Sequence, residues 1–314
     1  MSNCDFIDAF VAKVREIFKT KEFIPLHAPR FAGQEKELIL ETLESTFVSS
    51  VGECVDKFEQ DIARYTGAEF AVAVSSGTAA LHTALHVVGV ALDNEVITTP
   101  LTFVATCNAI SYCGARPVFV DVDLDTLGLS PQSLAQFLEQ HAEIRQDGLC
   151  WNRFSGKVIR ACVPVHNLGH PARAEEIAKV CGRYNIAVIE DAAESLGSLT
   201  DAEHTGRVGL MGVLSFNGNK IITTGGGGAL ITDDAAFAKR LKHLTTTAKQ
   251  PHPWLFQHDE VGFNYRLPNL NAALGLAQIA QLDDFVVKKR DLARYYADWL
   301  DKWPHATFFT EPTG

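Results

Sequence analysis

The sequence predicts an α/β protein with a mostly parallel sheet and helices on both faces. Three observations predict it. Short apolar runs of strand length alternate with longer stretches of helical periodicity. The runs are near-continuously apolar, as strands buried on both sides require. Glycine or proline marks several of the places where one kind of element gives way to the next, Gly67 and Pro100 among them.

The elements follow in order. Phe6, Ile7, Phe10, Val14, Ile17 and Phe18 recur at helical spacing, interrupted by Asp5, Asp8, Lys13, Arg15 and Glu16. That pattern is an amphipathic helix that packs on the body or on a partner, not a signal peptide. Val55, Phe58, Ile62 and Tyr65 share one helix face, closed by Gly67. Phe70–Val74 reads as a buried strand, broken by Ser75-Ser76-Gly77-Thr78. A helix carrying Leu81, Ala84, Leu85 and Val88 follows, then a strand over 95–99 stopped by Pro100. The alternation continues with a helix over 104–113, a strand over 117–122, a helix near 131–141, a strand over 158–165, a helix over 173–184 and a strand over 186–190. Two further apolar runs, 213–216 and 228–232, enclose Lys220. Residues 142–157 read as an irregular surface excursion, and 247–257 as a long loop. Leu270, Leu274, Ala277, Leu282, Phe285 and Val286 read as one long helix entering a second unit. The expected division is an N-terminal arm over 1–30, a large domain over 31–258 and the start of a small α+β domain over 259–314.

Composition narrows the function classes. The 314 residues are 46% hydrophobic and 21% charged, as in an ordinary globule rather than a disordered chain. A net charge of −10 implies no basic face, so nucleic acid is not an expected partner. The seven cysteines include no Cys-x-x-Cys pair, which favours reduced thiols in a cytoplasm and argues against bound metal. No uncharged apolar run approaches the ~20 residues that cross a bilayer, so no membrane partner is expected.

In an open α/β sheet, ligands gather beyond the carboxyl ends of the strands. The polar residues there are few. Ser76-Gly77-Thr78 opens a helix and offers either a phosphate cradle or a plain cap. Asp191 ends a buried strand, where its charge calls for a partner such as a protonated heterocyclic nitrogen, or serves as a cap. Lys220 is either a solvated side chain or a partly desolvated nucleophile. The run Gly225–Gly228 beside it leaves room for a planar ligand. His166 and His170 line a pocket or serve as hydrogen-bonded scaffold. Lysine, carboxylate and helix start together are the three anchors of pyridoxal 5'-phosphate.

The motifs Ser75-Ser76-Gly77-Thr78-Ala79-Ala80-Leu81, Glu190-Asp191-Ala192-Ala193-Glu194-Ser195-Leu196-Gly197 and Ser215-Phe216-Asn217-Gly218-Asn219-Lys220 resemble those of the DegT/DnrJ/EryC1/StrS sugar-nucleotide aminotransferases. The resemblance implies the fold of type I pyridoxal phosphate enzymes. It implies Lys220 as Schiff-base lysine and proton carrier, with Asp191 paired to the pyridinium nitrogen. Glu194 faces the ring hydroxyl, where many relatives have Gln. Gly77, Thr78 and Ser215 bind the phosphate, and Phe103 lies against the ring face. Asn264, in Gly262-Phe263-Asn264-Tyr265-Arg266, matches an asparagine that reaches the neighbouring subunit's phosphate, which implies a homodimer with shared sites. Phe47-Val48-Ser49-Ser50-Val51-Gly52 and Glu190–Ser198 look most like enzymes that aminate C4 of a UDP-4-keto-6-deoxy-N-acetylhexosamine, on the way to legionaminic acid or bacillosamine, with glutamate as donor. Relatives usually run some tens of residues further, so an incomplete second domain is expected. The competing readings are a sugar dehydrase, in which histidine replaces the lysine, a cofactor-binding chain without turnover, and an unrelated nucleotide-binding α/β protein.

Overall fold

The computed structural model describes residues 3–311. Helices α1 (Asn3–Phe18) and α2 (Glu35–Glu44) precede α3 (Glu53–Thr66). The alternation then runs through β1 (Phe70–Val74), α4 (Gly77–Val87), β2 (Glu95–Thr98), α5 (Val104–Tyr112), β3 (Arg116–Phe119) and α6 (Pro131–His141). Strands β4 (Ala142–Ile144) and β5 (Cys150–Asn152) lead to β6 (Ile159–Cys162), α7 (Ala174–Gly182) and β7 (Ala187–Asp191). Strands β8 (Leu199–Thr200) and β9 (Glu203–His204) precede β10 (Met211–Ser215) and β11 (Gly228–Thr232). Helices α8 (Ala235–Thr245), α9 (Asn269–Ile279) and α10 (Leu282–Leu300) follow.

Local chemistry sets the helix ends. Gly67 closes α3 at φ +75°, a left-handed conformation that suits glycine. Ser76, Ser130 and Asp234 cap α4, α6 and α8 with side-chain oxygens that accept first-turn N–H groups.

The seven-stranded sheet has the order β1-β11-β10-β7-β6-β2-β3. From β10 to β3 every neighbouring pair is parallel. Strand β11 is antiparallel to both β10 and β1, so β1 runs in the direction of the parallel block. Alternate side chains bury on opposite faces. Val72 and Val74 join Leu81, Leu85, Ile110 and Val213 on one face, while Ala73 joins Phe58, Ile62, Leu214 and Phe216 on the other. Farther along, Val96 faces the first cluster and Ile97 packs with Leu134, Leu138, Ile177 and Val188. This is the doubly covered, mostly parallel sheet that the apolar runs predict.

Two expectations are corrected. Residues 142–157 include the paired strands β4 and β5, with Arg145 stacked 4.4 Å from the Trp151 ring centre. The long helix over 270–286 is two helices. Gln281 interrupts it, donating its side-chain N–H to the Ala277 carbonyl and to Glu35 Oε1, each at 2.8 Å. Helix α9 thereby stays in the core against Phe58, while α10 turns away with only Leu282 fully buried. Phe6 and Phe10 of the N-terminal helix meet Tyr296 and Trp299 near the end of α10 and Trp303 just beyond it. The six described cysteines are free thiols. No described helix is long and apolar enough to cross a membrane.

Candidate active site

Strand register brings the motifs to one edge of the sheet. Val74 of β1 and Ser215 of β10 both pair with Gly228 of β11, and Val213 pairs with Asp191 of β7. The turn after β1, the end of β10 and the end of β7 are therefore neighbours, although 141 residues separate Val74 from Ser215.

At the turn, Ser76 Oγ accepts the Ala79 N–H at 3.0 Å, so the capping reading holds. The cap leaves the N–H groups of Gly77 and Thr78 without a hydrogen-bond partner among the described residues. They lie at the positive end of the α4 dipole and suit a phosphate. A Cβ on Gly77 would stand 2.9 Å from the Ser215 Cβ, so the Ser215 hydroxyl borders the same cradle. The glycine run has a different role from the one its sequence predicts. A Cβ on Gly228 would lie 2.6 Å from the Gly77 nitrogen, so Gly228 is needed for β11 to press against the turn. Gly227 likewise packs against Thr224, and only Gly226 faces open space.

Asp191 is 6% exposed. Its Oδ2 accepts from the Thr106 hydroxyl at 2.7 Å and its Oδ1 from the Ala193 N–H at 3.2 Å. Burial raises its pKa above the usual carboxylate value, against the opposing pull of Thr106, Ala193 and the Lys220 charge. Such a carboxylate is set to favour a cation placed beside it. The neighbouring Glu190 is fully buried and already satisfied. It accepts from His166 Nε2 at 2.9 Å, Gly206 N–H at 3.0 Å and Gly209 N–H at 2.7 Å. Burial opposes its charge, but these donors outweigh burial and hold its pKa below 4.5. His166 Nδ1 accepts the Ala172 N–H, which leaves Nε2 to carry the proton. His166 is scaffold.

Lys220 sits in the turn after β10, 14% exposed at its side chain, and its Nζ donates to Glu194 Oε1 at 3.3 Å. The other Glu194 oxygen accepts the Leu168 N–H at 2.8 Å. Leu168 adopts φ +56°, a left-handed conformation uncommon for a leucine, in the turn between His166 and His170. Phe103 is 71% exposed at the start of α5, three residues before the Thr106 that holds Asp191. Asn264 is exposed, its backbone bridged to Thr246, and its side chain joins none of these groups.

A cavity of about 720 Å³ opens over Lys220, Glu194 and Ser215. His27, His170, Lys289, Arg290 and Arg294 also line it, whereas Gly77, Thr78, Phe103, Asp191 and Asn264 do not. The structure thus unites Gly77, Thr78 and Ser215, joins Lys220 to Glu194, and leaves Asn264 apart. Sequence reasoning missed Thr106, Leu168 and the α10 cations. Thr106 lies inside a helix with no motif around it, Leu168 acts through its backbone, and the cations reach the cavity only through the turn at Gln281.

These residues fit pyridoxal phosphate. An open helix start bordered by a hydroxyl suits its phosphate, a buried carboxylate with a raised pKa suits its ring nitrogen, and a half-buried lysine amine suits its aldehyde.

Comparison with known proteins agrees. Residues 29–313 match the model of the DegT/DnrJ/EryC1/StrS aminotransferase family. EpsN of Bacillus subtilis strain 168, assigned by name as a pyridoxal phosphate-dependent aminotransferase, is 38% identical over 92% of this chain and 71% of its own. GDP-perosamine synthase of Escherichia coli O157:H7 is 38% identical over 88% of this chain and 71% of its own. The solved structure of Helicobacter pylori PseC, an aminotransferase involved in the biosynthesis of pseudoaminic acid, superposes with a TM-score of 0.80 at 26% identity, covering 90% of this chain and 72% of PseC. The chain belongs to the DegT/DnrJ/EryC1/StrS family and is a pyridoxal-phosphate-dependent sugar aminotransferase.

Proposed function

We propose that this protein transfers an amino group from glutamate to C4 of a nucleotide-linked 4-keto-6-deoxy sugar. The observation that carries this reading is Lys220: it lines a cavity with His27, Lys289, Arg290 and Arg294, its amine meets the Glu194 carboxylate, and Ser215 of the same lining borders the open start of α4. Of the lining acids, Glu194 is taken by Lys220 and Glu311 by Arg290. Burial and Lys289 hold the His27 ring toward its neutral form, and Arg294 pairs with Asp291 outside the lining. Lys289, with no carboxylate partner among the described residues, and Arg294 suit a diphosphate-linked substrate despite the acidic whole. Relatives named GDP-perosamine synthase support a nucleotide-linked sugar as substrate.

In this reading Gly77, Thr78 and Ser215 hold the cofactor phosphate, and Phe103 covers one ring face. When bound, pyridoxal phosphate supplies an electron sink for a carbon that loses a proton. Asp191 keeps positive charge at the ring nitrogen, and Thr106 and Ala193 fix the orientation of its carboxylate. Glu194, anchored by Leu168, holds Lys220 Nζ in place. With its amine free, Lys220 Nζ would take the proton from the donor carbon and deliver it to the cofactor, and in the second half-reaction would move a proton from the cofactor to C4 of the sugar. Asn264 reaches the partner's cofactor phosphate, so the working unit is a homodimer.

The test is a panel of UDP-, GDP- and dTDP-linked 4-keto sugars with glutamate, followed by product mass. A UDP-linked 4-keto-6-deoxy-N-acetylhexosamine is the expected substrate. Lys220→Ala should abolish turnover and the visible absorbance of the lysine-bound cofactor; normal turnover by that variant refutes the assignment.

A further inference from the structure

His170 stands in the wall of the Lys220 cavity. Its Nδ1 is sealed from solvent and has no hydrogen-bond partner. Its Nε2 is neither sealed nor bonded among the described residues, so it is the ring nitrogen open to the cavity. A buried orphan N–H is rarer than a buried orphan acceptor, so the proton belongs on Nε2 and the lone pair on Nδ1. Burial holds the ring toward its neutral form, against the charge of Glu311. His170 therefore presents one uncharged N–H donor to the cavity.

That donor is held in a fixed relation to Lys220. The His170 backbone N–H donates to the Asn167 carbonyl at 2.9 Å, and the Ser198 hydroxyl donates to the Gly169 carbonyl at 2.7 Å. In the same turn the Leu168 N–H holds Glu194, which holds Lys220 Nζ. The Phe309 ring packs edge-on at 4.6 Å and fixes the ring plane. A neutral donor with no partner of its own is unlike the cations that also line the cavity. It suits an uncharged oxygen better than a phosphate.

We propose that His170 is a substrate-binding residue whose Nε2–H donates a hydrogen bond to a neutral oxygen of the sugar, a hydroxyl or amide carbonyl, and so sets the ring's orientation over Lys220. This rests on the aminotransferase reading above and names the contact that reading lacks.

The test compares wild type, His170→Phe and His170→Gln as loaded enzymes. Phe keeps the packing against Phe309 and loses the donor, whereas Gln can return a donor nitrogen near the Nε2 position. Expected for His170→Phe is a rise of about fivefold in KM for the keto sugar, the loss of one neutral hydrogen bond. The absorbance change driven by glutamate alone should be unaltered. Calorimetric affinity for UDP-N-acetylglucosamine, which carries no ketone, should fall by a similar factor, and His170→Gln should recover most of both losses. Unchanged sugar KM and affinity in His170→Phe overturn the proposal, as does an equal slowing of the glutamate step, which marks a merely structural role. A wild type that turns over no keto sugar removes the substrate reading and this contact together; an active wild type with an indifferent Phe variant removes the contact alone.

Discussion

Two adjacent acids, Glu190 and Asp191, end the same strand and meet opposite environments. Glu190 takes three donors that hold its pKa below the usual carboxylate value; Asp191 takes two, is held above that value, and has spare capacity for a cation. A carboxyl whose pKa is depressed by folding contributes stability above its unfolded value and loses it as the pH falls through the folded one. Glu190→Gln should therefore destabilise the protein by about 1–3 kcal/mol at pH 7, the loss of a charge-assisted network. The deficit should shrink as the pH falls below the usual glutamate range, read from denaturant unfolding at several pH values. Thr106→Val removes the 2.7 Å donor to Asp191. It should weaken cofactor binding by roughly tenfold, since hydrogen bonds to charged groups contribute about 1.5–3 kcal/mol. A spectroscopic cofactor titration checks this, and unchanged affinity would show that Thr106 does not support the site.

The working element is the β1–α4 turn clamped against β11. Gly228→Ala would drive a methyl group to 2.6 Å from the Gly77 nitrogen and the Ser76 carbonyl carbon. Backbone must move to admit it, at about 1–3 kcal/mol. Because the same movement displaces the Gly77 and Thr78 N–H groups, cofactor affinity should fall together with the melting temperature. Ser76→Ala separates the two effects. It removes only the cap, which costs about 1 kcal/mol, and leaves both free N–H groups in place. A melting shift with little change in cofactor affinity is the expected result.

At the scale of the molecule, α3 and α9 close the face of the sheet away from α4. Phe58 is fully buried, meets Phe216 edge-on at 5.2 Å, and packs so closely on α9 that a Cβ on Gly275 would reach 2.7 Å from its ring. Phe58→Ala should destabilise the fold by about 3–5 kcal/mol, measured by thermal or denaturant unfolding. Beside it, Glu59 holds Arg266 at 2.8 Å with both side chains under a tenth exposed, and also accepts the Ala73 N–H. This ion pair ties the segment after the 247–257 loop to α3 and, through the Ala73 backbone, to the edge strand β1 close to the β1–α4 turn.

Much of this was legible in the chain itself. The doubly buried strands announce themselves as unbroken apolar runs, Gly67 and Ser76 mark helix ends by backbone and capping chemistry, and Asp191 and Lys220 follow strands where ligands gather. These are local properties, written in neighbouring residues. Folding alone decided the rest. That Gly228 packs against the β1–α4 turn follows from an antiparallel strand inserted between β1 and β10, a pairing of residues far apart in sequence. That one helix becomes two depends on Gln281 finding Glu35, 246 residues away. That His166 is scaffold while His170 faces the cavity depends on which ring nitrogen finds a partner. Hydrogen-bond satisfaction and side-chain burial are set by the whole packed structure, so no local pattern encodes them.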